Sequence, residues 1–223
     1  KDGTEWDLFS GLDIEDDVLK CFLEDVPFTK REKPKRRSAP VPVQAIAPTG
    51  DKKTSTQITF GKVMNMLGKR DDDLSARIVT TSPDVTVSTN LSGWVNQRGL
   101  FQRQEQKDAF RTEKVASPIK WEKSPSGQHL ELGIAENNLF LMLAAMGLSE
   151  QLFGSRLIPV GTLYDTFIAR GLDALNYACY QDARFIVVGT PSGVTLAPEG
   201  GAHQSIATPL IGMSQDGLAT FEP

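Results

Sequence analysis

One carboxylate heads the most apolar segment of this chain. LELGIAENNLFLMLAAMGL runs from Leu130 to Leu148, and between Leu132 and Leu148 only Glu136 is ionisable. An unpaired charge is costly to bury, so Glu136 is either well satisfied or used. Burial disfavours a carboxylate and a helix N-terminus favours it, so such a group is tunable for proton transfer. A glutamate in a first helical turn is also favoured by the helix dipole alone, with no function attached. Other polar clusters stand at comparable places: SPDVTVSTN, GTLYDTF and GTPSGVTLAPEGGAHQS each follow an apolar run. The Gly-rich last cluster lets backbone approach a ligand closely. The two histidines are His129, beside a short apolar run, and His203, inside that Gly-rich cluster.

The elements that must position these residues are legible in the spacing. Thr54 or Ser55 can cap a helix carrying Ile58, Phe60, Val63, Met64 and Leu67. ARIVTTSPD then reads as a short β-branched strand, His129–Leu132 as a second, RLIPVGTLY as a third and ARFIVVGTPSG as a fourth. Helical segments separate the later strands: the one led by Glu136, and FIARGLDALNYACYQ. Buried strands alternating with helices predict an α/β domain, a largely parallel sheet flanked by helices. In such sheets ligands bind where strands end and helices begin, which is where the polar clusters fall. Residues 88–125, rich in Gln, Arg, Lys and Gly and holding Trp94 and Trp121, read as one long excursion.

The front of the chain is different. Residues 1–28 hold an acidic amphipathic stretch with Ile14, Val18, Cys21, Phe22 and Leu23 at helical spacing. Residues 29–53 carry four prolines and a dense run of Lys and Arg, and cannot build a core. They read as a linker whose basic cluster, Lys30 to Arg37, is solvated or docks an acidic surface. Several function classes drop out. Net charge of −4 argues against nucleic acid as the main partner. Cys21 and Cys179 lie far apart and outside any CxxC, so neither a disulfide framework nor a zinc site is implied, and Cys179 fits a core in a reducing cytoplasm. No apolar stretch is long enough to span a membrane. The GxxxxG spacings lack the Lys-Ser/Thr of a P-loop, and no GxGxxG follows a strand.

The polar clusters, taken together and in order, resemble a known family. GIAENN, YDTF and EGGAHQ are similar to the pyrimidine-binding domain of thiamine diphosphate enzymes of the transketolase superfamily, and SPDVTVSTNL to their SADL-type stretch. The run from SARIVTTSPDVT through QHLELGIAENNLF to TPSGVTLAPEGGAHQS most resembles homodimeric-type pyruvate dehydrogenase E1 components. The resemblance covers about Thr54 to Pro223 and implies a thiamin-diphosphate-binding fold. In the family a glutamate at the position of Glu136 hydrogen-bonds the cofactor's aminopyrimidine ring. Thiamine must lose a proton from its thiazolium carbon, and the exocyclic amine becomes an adequate base only when the ring tautomerises. A carboxyl sharing a proton with the far ring nitrogen favours that tautomer.

Further roles follow from the same resemblance. Tyr164 and Phe167 match aromatic positions that pack on the aminopyrimidine, for which ordinary core packing is the plain alternative. Ile134, in the GIAEN turn, falls among the cofactor-binding positions. His203 matches a histidine facing substrate, able to donate to a developing alkoxide or a substrate carboxylate; a loop histidine bonded to backbone is its plain alternative. Glu199, Asp84 and His129 fall on the substrate side. Asp84 also suits an Asx turn after Pro83, and His129 also suits a structural role. Arg170 stands where the family often has a third aromatic. Glu199 replaces a usual Asp and Gly201 a usual Pro, which argues against a sugar-phosphate substrate.

The cofactors so implied are thiamine diphosphate and Mg2+. The family holds the metal through a GDG motif in a separate domain, and this chain has no GDG, so no metal ligand is assigned to it. The chain starts at Lys1 and stops at FEP, which reads as an internal fragment. Residues 1–28 would be the tail of a diphosphate-binding domain, 29–53 the interdomain linker, and 54–223 a pyrimidine-binding domain truncated at its C-terminus. The implied activity is thiamine-dependent decarboxylation of a 2-oxo acid, pyruvate, with acyl transfer to a lipoyl-bearing acyltransferase by a homodimer. Two alternatives stand beside it: transketolase-type two-carbon transfer between sugar phosphates, and a non-catalytic interaction scaffold.

Overall fold

The computed structural model describes residues 11, 13–26, 38–46, 53–106, 113 and 120–223, the Val194 side chain aside. The basic cluster from Lys30 to Arg37 lies outside the described residues, as does most of 107–119. The chain divides into two units, residues 1–35 and 36–223. In the first, the amphipathic stretch forms helix α1, Asp16–Asp25, with Asp16 and Asp17 in the first turn, where the helix dipole favours them.

In the second unit six strands form one sheet: β1 Ile78–Ser82, β2 Leu100–Phe101, β3 Lys123–Ser124, β4 His129–Glu131, β5 Ile158–Leu163 and β6 Ile186–Gly189. Their order is β3-β2-β4-β1-β5-β6, with every neighbouring pair parallel. The fold is therefore the α/β class the strand spacing predicts. Central β1 sets Thr80 opposite His129 and Ser82 opposite Glu131 on one side, and Thr80 opposite Val160 on the other. Adjacent strand residues face opposite sides, and the core follows that rule. Ile78, Val160 and Val188 pack with Met64, Leu67, Leu91, Trp94 and Val95. Val79, Leu163 and Val187 pack instead with Leu139, Phe140, Leu143 and Leu175. Each fully buried Leu or Phe is worth about 2 kcal/mol over leaving it exposed.

Helices cover both faces. On the first lie α2, Thr56–Gly68, α3, Asp73–Arg77, and α4, Ser92–Arg98. Ser55 caps α2, its hydroxyl accepting from the Ile58 N–H at 3.2 Å. On the second lie α5, Glu136–Gly147, α6, Ser149–Phe153, and α7, Leu172–Tyr180; α8, Thr208–Ser214, follows. The region read as one long excursion contains α4 and β2, and its Trp94 is wholly buried in the core. Two-residue strands and a seven-residue helix are too short for periodicity to declare. Residues 38–46, part of the expected linker, lie along this unit: the Ser38 N–H and hydroxyl both donate to Glu150 Oε1, at 3.0 and 2.9 Å. Val41 packs against the first core cluster.

Candidate active site at the ends of the strands

In a parallel sheet the loops after the strands share one edge. After β5 the chain turns at Tyr164 into a 3-10 segment, Asp165–Gly171. That segment seats on α5 because residue 171 is glycine. A Cβ there would lie 2.1 Å from Phe140 Cδ2, inside a ring that is wholly buried. After β4 the turn Leu132–Ala135 delivers Glu136 to the first turn of α5. After β6 two short 3-10 turns, Gly193–Glu199 and Gly201–His203, carry the Gly-rich cluster.

These turns gather four of the expected residues. Tyr164 and Phe167 stack, with centroids 5.9 Å apart and planes 10° from parallel. The His203 ring meets both edge-on, at 6.1 Å from Tyr164 and 5.2 Å from Phe167. His203 Nδ1 is buried with no hydrogen-bond partner. Glu136 joins through Arg170, whose Nη1 donates to Glu136 Oε1 at 2.7 Å. The same guanidinium lies over the Phe167 ring, 3.9 Å from its centroid. Arg170, noted in the sequence only as a departure from the family, is thus the residue that links Glu136 to the aromatic wall.

A second polar cluster lies at the ends of β1 and β4. His129 is wholly buried. Its Nδ1 meets the Thr80 hydroxyl at 2.7 Å and its Nε2 the Thr86 hydroxyl at 3.0 Å. Thr86 donates onward to Glu131 Oε2 at 2.6 Å, and the Asp84 N–H donates to Glu131 Oε1 at 2.8 Å. Burial pushes the Glu131 carboxyl up, but the hydrogen bonds from His129, Thr86 and the Asp84 backbone outweigh it and hold it below its ordinary value. Both His129 nitrogens are occupied, so its ring reaches a ligand only through Thr86 and Glu131. Asp84 is exposed, with a left-handed φ of 66°. Such a conformation suits the turn expected after Pro83.

The remaining expected residues stand apart. Ile134 is 80% exposed, and Glu199 is exposed on its 3-10 turn. One group went unnoticed in the sequence. Asp165, directly after Tyr164, is buried, and its Oδ1 has no partner. Burial raises its carboxyl above the ordinary value, against the N–H groups of Thr166 and Gly193. Its position in YDTF, at the end of a buried strand, was the available signal.

A planar cation already sits between a buried carboxylate and an aromatic face, so the residues present fit an aminopyrimidine: a flat ring with nitrogens in its plane and a π-face to stack. Comparison with known proteins points the same way. Residues 43–214 match the family model described as the pyruvate dehydrogenase E1 component middle domain. The pyruvate dehydrogenase E1 component of Corynebacterium glutamicum is 27% identical over 171 residues, covering 76% of this chain and 18% of that protein. That of Pseudomonas aeruginosa is 26% identical over 178 residues, covering 78% and 20%. The chain thus spans about a fifth of the length of the curated relatives it matches. Among solved structures, transketolase from Leishmania mexicana superposes with a TM-score of 0.52 at 18% identity, over 75% of this chain and 22% of that one. Transketolase from Campylobacter jejuni gives 0.53 at 15% identity, over 89% and 24%. At such identities the transketolases speak to fold, and the family match speaks to descent. The chain belongs to the pyruvate dehydrogenase E1 component middle-domain family, and its fold is one shared with transketolases.

Proposed function

We propose that this domain supplies the aminopyrimidine half of a thiamine diphosphate site in a pyruvate dehydrogenase E1 component. The observation that carries the reading is a planar nitrogen donor, the Arg170 guanidinium, held between buried Glu136 and the face of Phe167, itself stacked on Tyr164. Bound there, the cofactor would supply a carbon nucleophile for decarboxylation of the 2-oxo acid. Glu136 would share a proton with the ring nitrogen, and the aromatic pair would hold the ring's face. His203, with its buried Nδ1 unpartnered, has hydrogen-bonding capacity left for a substrate carboxylate or a developing alkoxide. Glu199, Asp84 and His129 would lie on the substrate side, His129 acting through Thr86 and Glu131. Ile134 would border the ring. The Mg2+ and diphosphate would be gripped by another domain, in a homodimer that passes its acyl group to a lipoyl-bearing acyltransferase.

The test is an assay of the full-length protein. Pyruvate with a lipoyl domain should turn over, and xylulose phosphate with ribose phosphate should not. The reverse pattern would make the protein a transketolase. Absence of thiamine diphosphate binding in the full-length protein would leave a scaffold.

A further inference from the structure

Glu136 is buried and Arg170 is not: their side chains are 10% and 51% exposed. The guanidinium therefore covers the carboxylate from the solvent side. It presents a flat face to Phe167 and one in-plane N–H, on Nη1, to Glu136. A guanidinium and an aminopyrimidine share those features. Both are planar, both stack on aromatic rings, and both carry nitrogens in the plane that pair with a carboxyl. One carboxylate and one ring face are on offer, so the two compete. We propose that Arg170 is an internal occupant of the aminopyrimidine pocket and sets its affinity by having to swing out. The inference rests on the pocket reading given above.

The position of Arg170 supports a movable latch. It lies at the last but one residue of the Asp165–Gly171 turn, whose seat on α5 is held by Gly171 against Phe140. The backbone is anchored while half the side chain stands in solvent. Displacement therefore needs only a rotamer change, not a loop rearrangement. An occupant closed most of the time lowers apparent affinity by the fraction of time the pocket is open. A pocket open roughly a tenth of the time would bind about tenfold more weakly than an unlatched one.

The probe is 4-amino-2-methylpyrimidine, which carries no phosphate for Arg170 to attract. Its binding to the 223-residue chain is followed by ligand-observed NMR, with circular dichroism to confirm folding. Arg170→Ala should tighten binding by roughly three- to tenfold. Arg170→Lys, which keeps the charge without the planar fork, should fall between. Added salt should tighten binding to the parent chain and leave Arg170→Ala unmoved, because screening loosens only the ion pair. Tyr164→Ala should abolish binding in either background. Equal or weaker binding by folded Arg170→Ala, with Tyr164 still required, overturns the latch and leaves the pocket standing. No binding to any variant overturns the pocket reading and the latch with it. Should Arg170→Ala not fold, the salt response of the parent chain and Arg170→Lys decides.

Discussion

At the residue scale, two side chains carry the proposed chemistry by different routes. Glu136 is buried and paired, so its role is tested by removing its capacity to share a proton while keeping its shape. Glu136→Gln in the full-length enzyme should stay folded and slow proton–deuterium exchange at the cofactor's thiazolium carbon by at least about a hundredfold, the range of a lost general acid–base. Exchange at the parent rate would take the role from Glu136. His203 meets the aromatic pair edge-on rather than face-on. His203→Ala should therefore lower turnover while cofactor affinity stays within a few-fold. Equal losses in both would place the imidazole against the pyrimidine instead.

At the element scale, the site depends on how its turns are seated. Gly171 lets the Asp165–Gly171 turn press on α5, and the Phe140 ring it meets is wholly buried. Gly171→Ala should cost about 1–3 kcal/mol, as overpacking of a close-packed core does, and should lower the thermal midpoint. The second tie is remote from the site. Glu150 is held down to about 2 by Arg156, whose guanidinium pairs with it, and by the two Ser38 hydrogen bonds. A carboxyl lowered in the native state stabilises the fold above its unfolded value of 4.5 and loses that contribution as pH falls towards about 2. The difference in thermal midpoint between the parent chain and Glu150→Gln should therefore shrink as pH falls from 5 towards 2. A constant difference across that range would show that ionisation of Glu150 adds nothing to stability.

At the scale of the whole molecule, the gathered groups suit one half of a cofactor. They offer a carboxylate, two stacked rings and an imidazole, which meet a flat ring and a small substrate. A diphosphate with its metal carries most of the cofactor's charge and should supply much of its binding energy. Calorimetric titration of the 223-residue chain with thiamine diphosphate and magnesium should accordingly show far weaker binding than the full-length protein shows, with no turnover. Micromolar affinity together with catalysis by this chain would mean the pocket is complete as it stands.

Local order decided much in advance. Four short strand-like runs, each ending in a polar cluster, pointed to an α/β fold with a parallel sheet, since strand length and side-chain alternation are properties of neighbouring residues. The same local logic singled out Glu136 as a lone carboxylate at the head of an apolar helix, whereas Tyr164, Phe167 and His203 were marked by the resemblance of YDTF and EGGAHQ to a known family. What the chain order could not decide is which of these groups face one another. Arg170 meets Glu136 from 34 residues away, and His129 meets Thr80 across 49. Those pairings depend on strand register, on the seat of a 3-10 turn against a helix and on the rotamer a long side chain adopts. Trp94 shows the same limit from the other direction. A polar sequence neighbourhood hid a residue that tertiary packing made part of the core. Burial is a property of what lies across the sheet, and only the folded chain brings that surface to it.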